Sequence, residues 1–332
     1  MAATSSSDPR FATRRRTAGW VTAVGLAVLV AAIAVAWSWR ARLPDPVATH
    51  WGVDGTADGF SSLSGILAVM LGFGTVLVVG FGAVTLLLGH SAVTRRIGAA
   101  AVIWSALFMS LLTLGMLYVQ RGLADARDAD GIGGVLLVAV VGSLLPAVAA
   151  GALVPGDPRL PTSDVVAADA PRAELTAGER TTWVARAGAG PVVGVGAAAG
   201  AVLLALVVVM VTRVWALLVV VGLVGILLAA MLRWVVCVDS TGLSIRSAIG
   251  WPRIYVPLDE VVRADVIEVR PLRDFGGWGL RVGRGGRVAV VLRSGEAMLV
   301  ERTGGRSVAV TVDGAATAAG VLNTLADHAR RT

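Results

Sequence analysis

Apolar and polar residues are arranged in long blocks along the first two thirds of this chain. Six apolar runs cover residues 20–39, 65–88, 97–120, 132–154, 189–211 and 214–232. Each run reaches or approaches the ~20 residues that a bilayer-spanning helix needs. Backbone groups within lipid must satisfy one another's hydrogen bonds, so the pattern predicts helices. We therefore expect an α-helical polytopic membrane protein with about six transmembrane helices.

Beyond residue 233 the apolar pattern changes to short strands separated by Gly- and Ser-containing turns. The predicted strands are 234–238, 243–247, 253–256, 264–270, 279–283, 287–292, 297–302 and 307–312. A helix follows over 315–330, and its apolar face consists of Ala318, Val321, Leu322, Leu325 and Ala329. The pattern therefore predicts a C-terminal domain of antiparallel strands that ends in one amphipathic helix.

These changes in pattern predict five parts of the chain. They are a cytoplasmic tail (1–17), a four-helix membrane region (18–154) with an outer loop (40–64), a cytoplasmic linker (155–187), a two-helix membrane hairpin (188–233) and a cytoplasmic domain (234–332).

Two of these parts carry further signals. In the linker, the capping-box spacing of Thr176 and Glu179 predicts a short interfacial helix carrying Trp183 and Arg186, whereas the proline content is equally typical of a disordered linker. In the run 189–211, glycines recur at small-xxx-small spacing. That spacing allows close helix approach and predicts a homo-oligomer through this helix.

Composition and charge support a membrane location and indicate an orientation. Hydrophobic residues make up 56% of the chain and charged residues 15%, unlike soluble proteins. With the N-terminus inside, eleven arginines lie in inner segments and five in outer ones. The positive-inside rule then predicts a multi-pass protein of the cell membrane with both termini cytoplasmic. Cys237 is the only cysteine, so we expect no disulfide and a small buried residue.

The polar stretch 43–60, between the first two apolar runs, is the most motif-like part of the chain. Prolines stiffen its start, and the Asp-Gly dipeptides at 54–55 and 58–59 are typical of turns. We expect a compact outer loop that contacts an envelope peptide or protein. The candidate contact residues are Pro44, Thr49, His50, Trp51, Asp54 and Asp58. The histidine has either a structural or a ligand-contacting role.

Metal, cofactor and nucleic acid sites receive little support. His50 with Asp45, Asp54 and Asp58 gives one imidazole and flexible carboxylates, which suit no common metal site, so we expect no metal and no cofactor. The whole chain has a net charge of +7. In the C-terminal domain, however, acidic residues are interspersed among the arginines and no continuous basic stripe forms, so we expect no nucleic acid partner.

A second candidate surface lies at 270–287, where arginines flank an aromatic residue. In one interpretation Arg273, Trp278 and Arg281 contact anionic membrane lipid at the inner leaflet. In the other, the arginines form a solvated face and Trp278 packs into the domain core.

Two regions resemble known families. The words Leu-Pro-Asp-Pro at 43–46, Thr-His-Trp at 49–51 and Asp-Gly-Phe at 58–60 follow a first spanning helix and resemble the domain of unknown function 1648 over about residues 20–90. That resemblance implies kinship with the N-terminal part of Sdp-type toxin-immunity membrane proteins. The strand order and final helix of 234–332 resemble the bacterial pleckstrin-homology-like fold. That resemblance implies a C-terminal β-barrel-like domain capped by one helix.

No catalytic motif is present in the sequence, so we expect a protein that is not an enzyme. The leading hypothesis is a sensor, toxin-immunity or scaffold component. The alternative is a transporter of an uncharged or amphipathic solute through the Gly-rich helices. Ion-coupled transport is disfavoured, because such proteins place ionisable groups within the bilayer and the apolar runs contain none.

Overall fold

A computed structural model describes residues 9–52, 54–175, 181–188, 190–212, 217–283 and 287–331. The chain forms two compact units. The first comprises Met1–Asp157 with Gly200–Leu223, and the second comprises Pro158–Ala199 with Val224–Thr332.

Six helices correspond to the six apolar runs. They are α1 (Pro9–Ser38), α2 (Leu63–Leu88), α3 (Ala92–Tyr118), α4 (Gly133–Leu153), α5 (Pro191–Thr212) and α6 (Leu217–Leu232). In the described residues, four segments are long and apolar enough to cross a membrane: Phe11–Ser38 within α1, and α2, α3 and α4. The count of six spans is therefore not supported. The apolar run 214–232 forms a helix of only 16 residues, and residues 213–216 lie outside the described part.

The first unit is built around α3, which contacts α1, α2 and α4. Its core contains Val21, Leu29, Met70, Val78, Ala99 and Val102. Two glycines allow the helix backbones to approach closely. A Cβ at Gly82 would lie 2.2 Å from Oγ1 of Thr22, and one at Gly98 would lie 2.1 Å from Oγ1 of Thr85. Small residues in these runs thus serve packing inside the unit.

Between α1 and α2, the strands β1 (Val47–Trp51) and β2 (Ala57–Ser61) form an antiparallel hairpin. The side chain of Ser62 then caps α2 by accepting a hydrogen bond of 3.1 Å from the N–H of Gly65. The predicted outer loop is therefore a short strand pair that leads directly into the second helix.

The second unit contains two sheets. The first is antiparallel, in the order β3 (Trp183–Gly188), β4 (Arg233–Asp239), β5 (Gly242–Ser247), β6 (Arg253–Pro257). The second contains β7 (Val261–Val269), β8 (Gly279–Val282), β9 (Val288–Val291), β10 (Gly295–Arg302) and β11 (Arg306–Thr311), in the order β7-β10-β11-β9-β8 with β9 and β11 parallel. A short helix, α7 (Pro271–Phe275), follows β7, and α8 (Ala315–Arg331) ends the chain.

The predicted strands and final helix are confirmed, whereas the barrel is not. All eight strands from β4 to β11 coincide with predicted ones to within a few residues. Ala318, Val321, Leu322 and Leu325 are buried on α8, which packs against β7 and β10, and Ala329 is exposed near the helix end. The strands that the structure describes close no barrel, because they divide between two sheets. Cys237 is half-buried on β4 rather than buried.

The prediction of an interfacial helix around Trp183 and Arg186 is wrong. These residues belong to β3, which pairs with β4 from Trp183 opposite Val238 to Gly188 opposite Arg233. A local capping signal was outweighed by a strand partner that lies about fifty positions further along the chain. Thr176 and Glu179, which carried that signal, lie outside the described residues.

The alternative of a disordered linker is wrong for residues 158–175, because buried polar groups bind this segment to the domain. The N–H of Val166 donates to Asp327 of α8 at 2.9 Å, and Arg172 forms an ion pair with the same carboxylate at 2.8 Å. Asn323, also on α8, donates to the carbonyl of Pro171 at 2.8 Å. The segment is therefore part of the folded domain.

Glu260 provides a second buried attachment for this segment. Its carboxylate accepts a hydrogen bond of 2.9 Å from the N–H of Leu160, and it forms ion pairs with Arg302 and Arg306. Burial favours the neutral carboxyl and would raise its pKa. The N–H of Leu160 and the two guanidinium groups outweigh burial, so the pKa of Glu260 lies below its usual value.

Candidate functional site

The hairpin β1–β2 is irregular, and its irregularity determines which side chains are exposed. Val47 pairs with Ser61 and Trp51 with Ala57, but the register shifts on both sides of His50. Shifts of this kind turn side chains away from strict alternation. As a result Val47, Ala48 and Trp51 are buried, whereas the side chain of His50 is 71% exposed.

The turn of the hairpin is held by Asp54. Its carboxylate accepts hydrogen bonds from the N–H and the hydroxyl of Thr56, at 3.1 and 2.8 Å. The pKa of Asp54 lies below its usual value, mainly because the hydroxyl of Thr56 donates to the carboxylate and next because the N–H of Thr56 does so. Gly55 has φ +83°, a conformation that favours glycine. The predicted Asp-Gly turn is thus a local hydrogen-bonded unit.

Gln120, just beyond α3, anchors β1 to the helices. Its Oε1 accepts from the N–H of Ala48 at 2.7 Å, and its Nε2 donates to the carbonyl of Ala48 at 2.9 Å. The amide therefore pairs with Ala48 as a neighbouring strand would. Both residues are almost fully buried, so each polar group needs this partner.

Trp51 provides the second anchor. Its ring packs with Ala48, Met116, Ala126 and Ala129, and its Nε1 donates to the carbonyl of Ala129 at 3.5 Å. The side chain is 9% exposed, which is typical of an aromatic ring that fills a core. In this conformation Trp51 positions the hairpin rather than facing solvent.

The exposed feature of the hairpin is an imidazole–carboxylate pair. Nδ1 of His50 lies 2.5 Å from Oδ1 of Asp58, whose side chain is 51% exposed. Gly59 makes room for this arrangement, because a Cβ there would lie 2.8 Å from the Cβ of His50. Contacts between polar side chains exposed to this degree contribute little to stability. The pair is thus accessible to a partner and is of minor importance for the fold.

The structure separates the predicted contact residues into two groups. His50, Asp54 and Asp58 are exposed, and Thr49 is half-buried with its hydroxyl 3.4 Å from the carbonyl of Gly59. Pro44 and Trp51 are buried. The sequence did not indicate Gln120, because a single polar residue at the end of an apolar run carries no sign of its distant partner.

Exposed aspartates outnumber exposed arginines on and around the hairpin, where Arg40, Arg42 and Arg127 are the exposed arginines. Exposed aspartates in this region are Asp45, Asp54, Asp58, Asp125, Asp128 and Asp130. Arg127 lies among them, with its guanidinium 5.3 Å from the ring centre of Phe60 on β2. Where the chain is described, no group of three His, Cys, Asp or Glu side chains could hold a metal ion.

The second predicted surface is exposed in the structure. Trp278 is 48% and the neighbouring Leu272 67% exposed, so the interpretation in which Trp278 packs into the domain core is wrong. Arg273 and Arg281 are exposed beside them. A pocket of about 560 Å³ adjoins this surface, with Arg273 and Arg287 among its lining residues.

Comparison with known proteins gives one match. A family model described as Domain of unknown function (DUF1648) matches residues 26–73. This segment of the chain is similar to that domain. It covers the C-terminal part of α1, the whole hairpin and the first part of α2, which confirms that part of the predicted resemblance. The four apolar helices and this match indicate a membrane protein of unknown function.

No curated protein and no solved structure matches the chain. The kinship with toxin-immunity proteins and the pleckstrin-homology-like fold therefore stay predictions.

Proposed function

We propose that this chain is a non-enzymatic integral membrane protein whose hairpin contacts an envelope peptide or protein, as a sensor, toxin-immunity or scaffold component. The observation that carries the proposal is the exposed His50–Asp58 pair on a hairpin whose buried side is held by Gln120 and Trp51. Anchoring reduces the conformational entropy that a binding surface loses when it binds a partner.

The charge around the hairpin narrows the chemistry of this partner. Six exposed aspartates lie on the hairpin, just before it and in the segment that packs against it, where three exposed arginines, Arg40, Arg42 and Arg127, also lie. Complementary charge steers association and discriminates against unsuitable partners. We expect the partner to present a basic segment, and we expect its capture to weaken at high salt.

The membrane topology is a further part of this proposal. The excess of arginines in the predicted inner segments supports cytoplasmic termini and an outer hairpin. We also propose that α5 and α6 form a hairpin in the membrane, and that the Gly-rich α5 joins copies of the chain. A reporter enzyme that is active only outside the cell, fused to the C-terminus, should be inactive; activity there would invert the topology.

For the second unit we propose contact with a protein or with the inner leaflet through Arg273, Trp278 and Arg281. The support is their exposure beside the apolar side chain of Leu272. Single substitutions of these residues should reduce co-purification of a cytoplasmic partner or of anionic lipid. The transporter alternative stays a prediction that flux measurements in proteoliposomes can test.

The outer contact can be tested by photo-crosslinking in cells. A photoreactive residue replaces Thr56, which is exposed in the turn and lies two positions before Asp58 in the chain. His50→Ala and Asp58→Asn remove the exposed pair, and each should reduce capture of the partner. Trp51→Phe is the matched control, because it keeps an aromatic ring in the buried cluster and should preserve capture.

The two kinds of variant separate contact from folding. Loss of capture in His50→Ala with normal membrane levels supports a direct contact. Unchanged capture in both His50→Ala and Asp58→Asn would contradict the proposal, since it rests on this pair.

A further inference from the structure

One end of the four-stranded sheet carries both connections to the apolar helices α5 and α6. Strand β4 begins at Arg233, directly after the last residue of α6, and β3 ends at Gly188, opposite Arg233 and shortly before α5. The N–H of Ala248 donates to the carbonyl of Arg233 at 2.8 Å. The turn between β5 and β6 therefore lies beside the point where the chain leaves α6.

That turn exposes large apolar side chains. Ile249 is 58% exposed and Trp251 is 54% exposed. Tryptophan is enriched where proteins meet the membrane–water interface, because its ring is apolar and its N–H needs a polar partner. The turn beside the connection to α6 therefore exposes side chains of the kind found at membrane–water interfaces.

A row of arginines crosses the same end of the sheet. Arg186 lies opposite Val235, which lies opposite Arg246, which lies opposite Arg253. Residues directly opposite one another on neighbouring strands share a face of the sheet. Arg233, two positions before Val235, shares this face and is closer to the helices. All four arginines are exposed.

Two arginines of this row lie opposite each other, and Arg253 has its guanidinium 5.6 Å from the ring centre of Tyr255. Arg246 and Arg253 face each other directly, and like charges in that position destabilise a sheet. In the part of the chain that the structure describes, none of the four arginines forms an ion pair with a carboxylate, whereas Arg172 and Arg263 of the same unit do. An anionic surface outside the domain would supply the missing counter-charge.

We propose that this end of the sheet rests on the anionic lipid surface of the membrane that α5 and α6 enter. Ile249 and Trp251 enter the headgroup region, and the arginine row binds lipid phosphates. The inference rests on the proposed membrane hairpin of α5 and α6. Each arginine near an anionic leaflet strengthens binding to it by about 1 kcal/mol, or roughly fivefold. Firm binding of the sheet to the leaflet therefore depends on several arginines of the row together.

The experiment measures lipid proximity in the full-length chain. The protein is placed in nanodiscs of equal parts phosphatidylglycerol and phosphatidylcholine, with a nitroxide on some headgroups. In a Cys237→Ser background, Ile249→Cys carries an environment-sensitive fluorophore, and Ser294→Cys in the exposed β9–β10 turn is the matched control. Leu206→Cys on α5 reports separately whether that helix lies in lipid.

We expect the fluorophore at position 249 to be quenched several-fold more than the one at position 294. The double variant Arg186→Gln/Arg246→Gln should reduce this quenching. The charge-matched double variant Arg293→Gln/Arg331→Gln should leave it unchanged, because those arginines lie in the β9–β10 turn and at the end of α8, outside this sheet.

The other outcomes overturn the proposal in distinguishable ways. Equal quenching at positions 249 and 294 overturns it, as does an equal loss in both double variants, which indicates a general charge effect. A label at position 249 that is shielded from aqueous iodide but not quenched by lipid assigns the surface to a protein. Quenching at position 206 without quenching at 249 leaves the membrane hairpin intact and rejects only the contact described here.

Discussion

Replacing Gln120 by leucine tests whether the hairpin is anchored by one amide. Leucine has a similar volume and keeps the apolar packing, but it cannot hydrogen-bond with Ala48. The N–H and the carbonyl of Ala48, now paired at 2.7 and 2.9 Å, would lose their partners while Ala48 remains 1% exposed. The substitution also removes the hydrogen bond that Nε2 donates to the carbonyl of Met116 at 2.8 Å, four positions earlier in the chain.

The magnitude follows from the number of groups left without a partner. A buried donor or acceptor that loses its partner costs roughly 1–3 kcal/mol. For two groups on one residue, with some local relaxation, we expect the hairpin to lose about 2–4 kcal/mol of local stability. Since 1.4 kcal/mol corresponds to a factor of ten, local opening should become roughly 30 to 1,000 times more frequent.

Amide hydrogen exchange of peptides covering residues 47–61, in nanodiscs, measures this opening directly. Gln120→Leu should accelerate exchange there and should reduce partner capture in parallel. Ser105→Ala is the matched control, because its hydroxyl is buried on the same helix but bonds only within it, to the carbonyl of Ala101 at 2.7 Å. Wild-type exchange at 47–61 in a folded Gln120→Leu protein would refute the anchoring role.

Two further predictions concern the interiors of the two units. Gly82→Ala should lower the thermal midpoint in detergent by an amount that corresponds to about 1–3 kcal/mol, because its Cβ would clash with Thr22. Gly72→Ala is the control, because position 72 on the same helix faces open space and the substitution should be neutral. Equal effects of the two variants would contradict the close approach of α1 and α2. Glu260→Gln should destabilise the second unit by about 3–5 kcal/mol at neutral pH, since it leaves Arg302 buried without its counter-charge. Because the folded-state pKa of Glu260 is lowered, its stabilisation is present above the unfolded-state pKa and is lost as the pH falls through the lowered value. Denaturant unfolding at neutral and acid pH should therefore show wild type and variant converging at low pH, and an identical gap at both would contradict this.

Local signals were sufficient wherever a property depends on neighbouring residues alone. Hydrophobicity adds along a run, so the four helices that could cross a membrane were visible in the sequence. The turn at Asp54-Gly55 was visible because Asp54 hydrogen-bonds to the residue two positions on. The strands of the C-terminal domain were likewise bounded by their own turn residues. The motif words of the hairpin, which depend only on local order, agree with the family match over residues 26–73.

Tertiary structure alone decided what depends on partners distant in the chain. Gln120 anchors a strand that lies 72 positions earlier, and no local pattern indicates which carbonyl it will meet. The sequence placed Trp51 among contact residues because it adjoins His50. In the structure its ring is buried against Met116, Ala126 and Ala129, which lie far along the chain. Arg186, Arg246 and Arg253 form one row only because three strands pair in a particular register. The sequence by itself determined which segments favour lipid, helix or strand, since these preferences are local and additive. Which side chains face solvent, and therefore which can meet a partner, was decided by long-range packing.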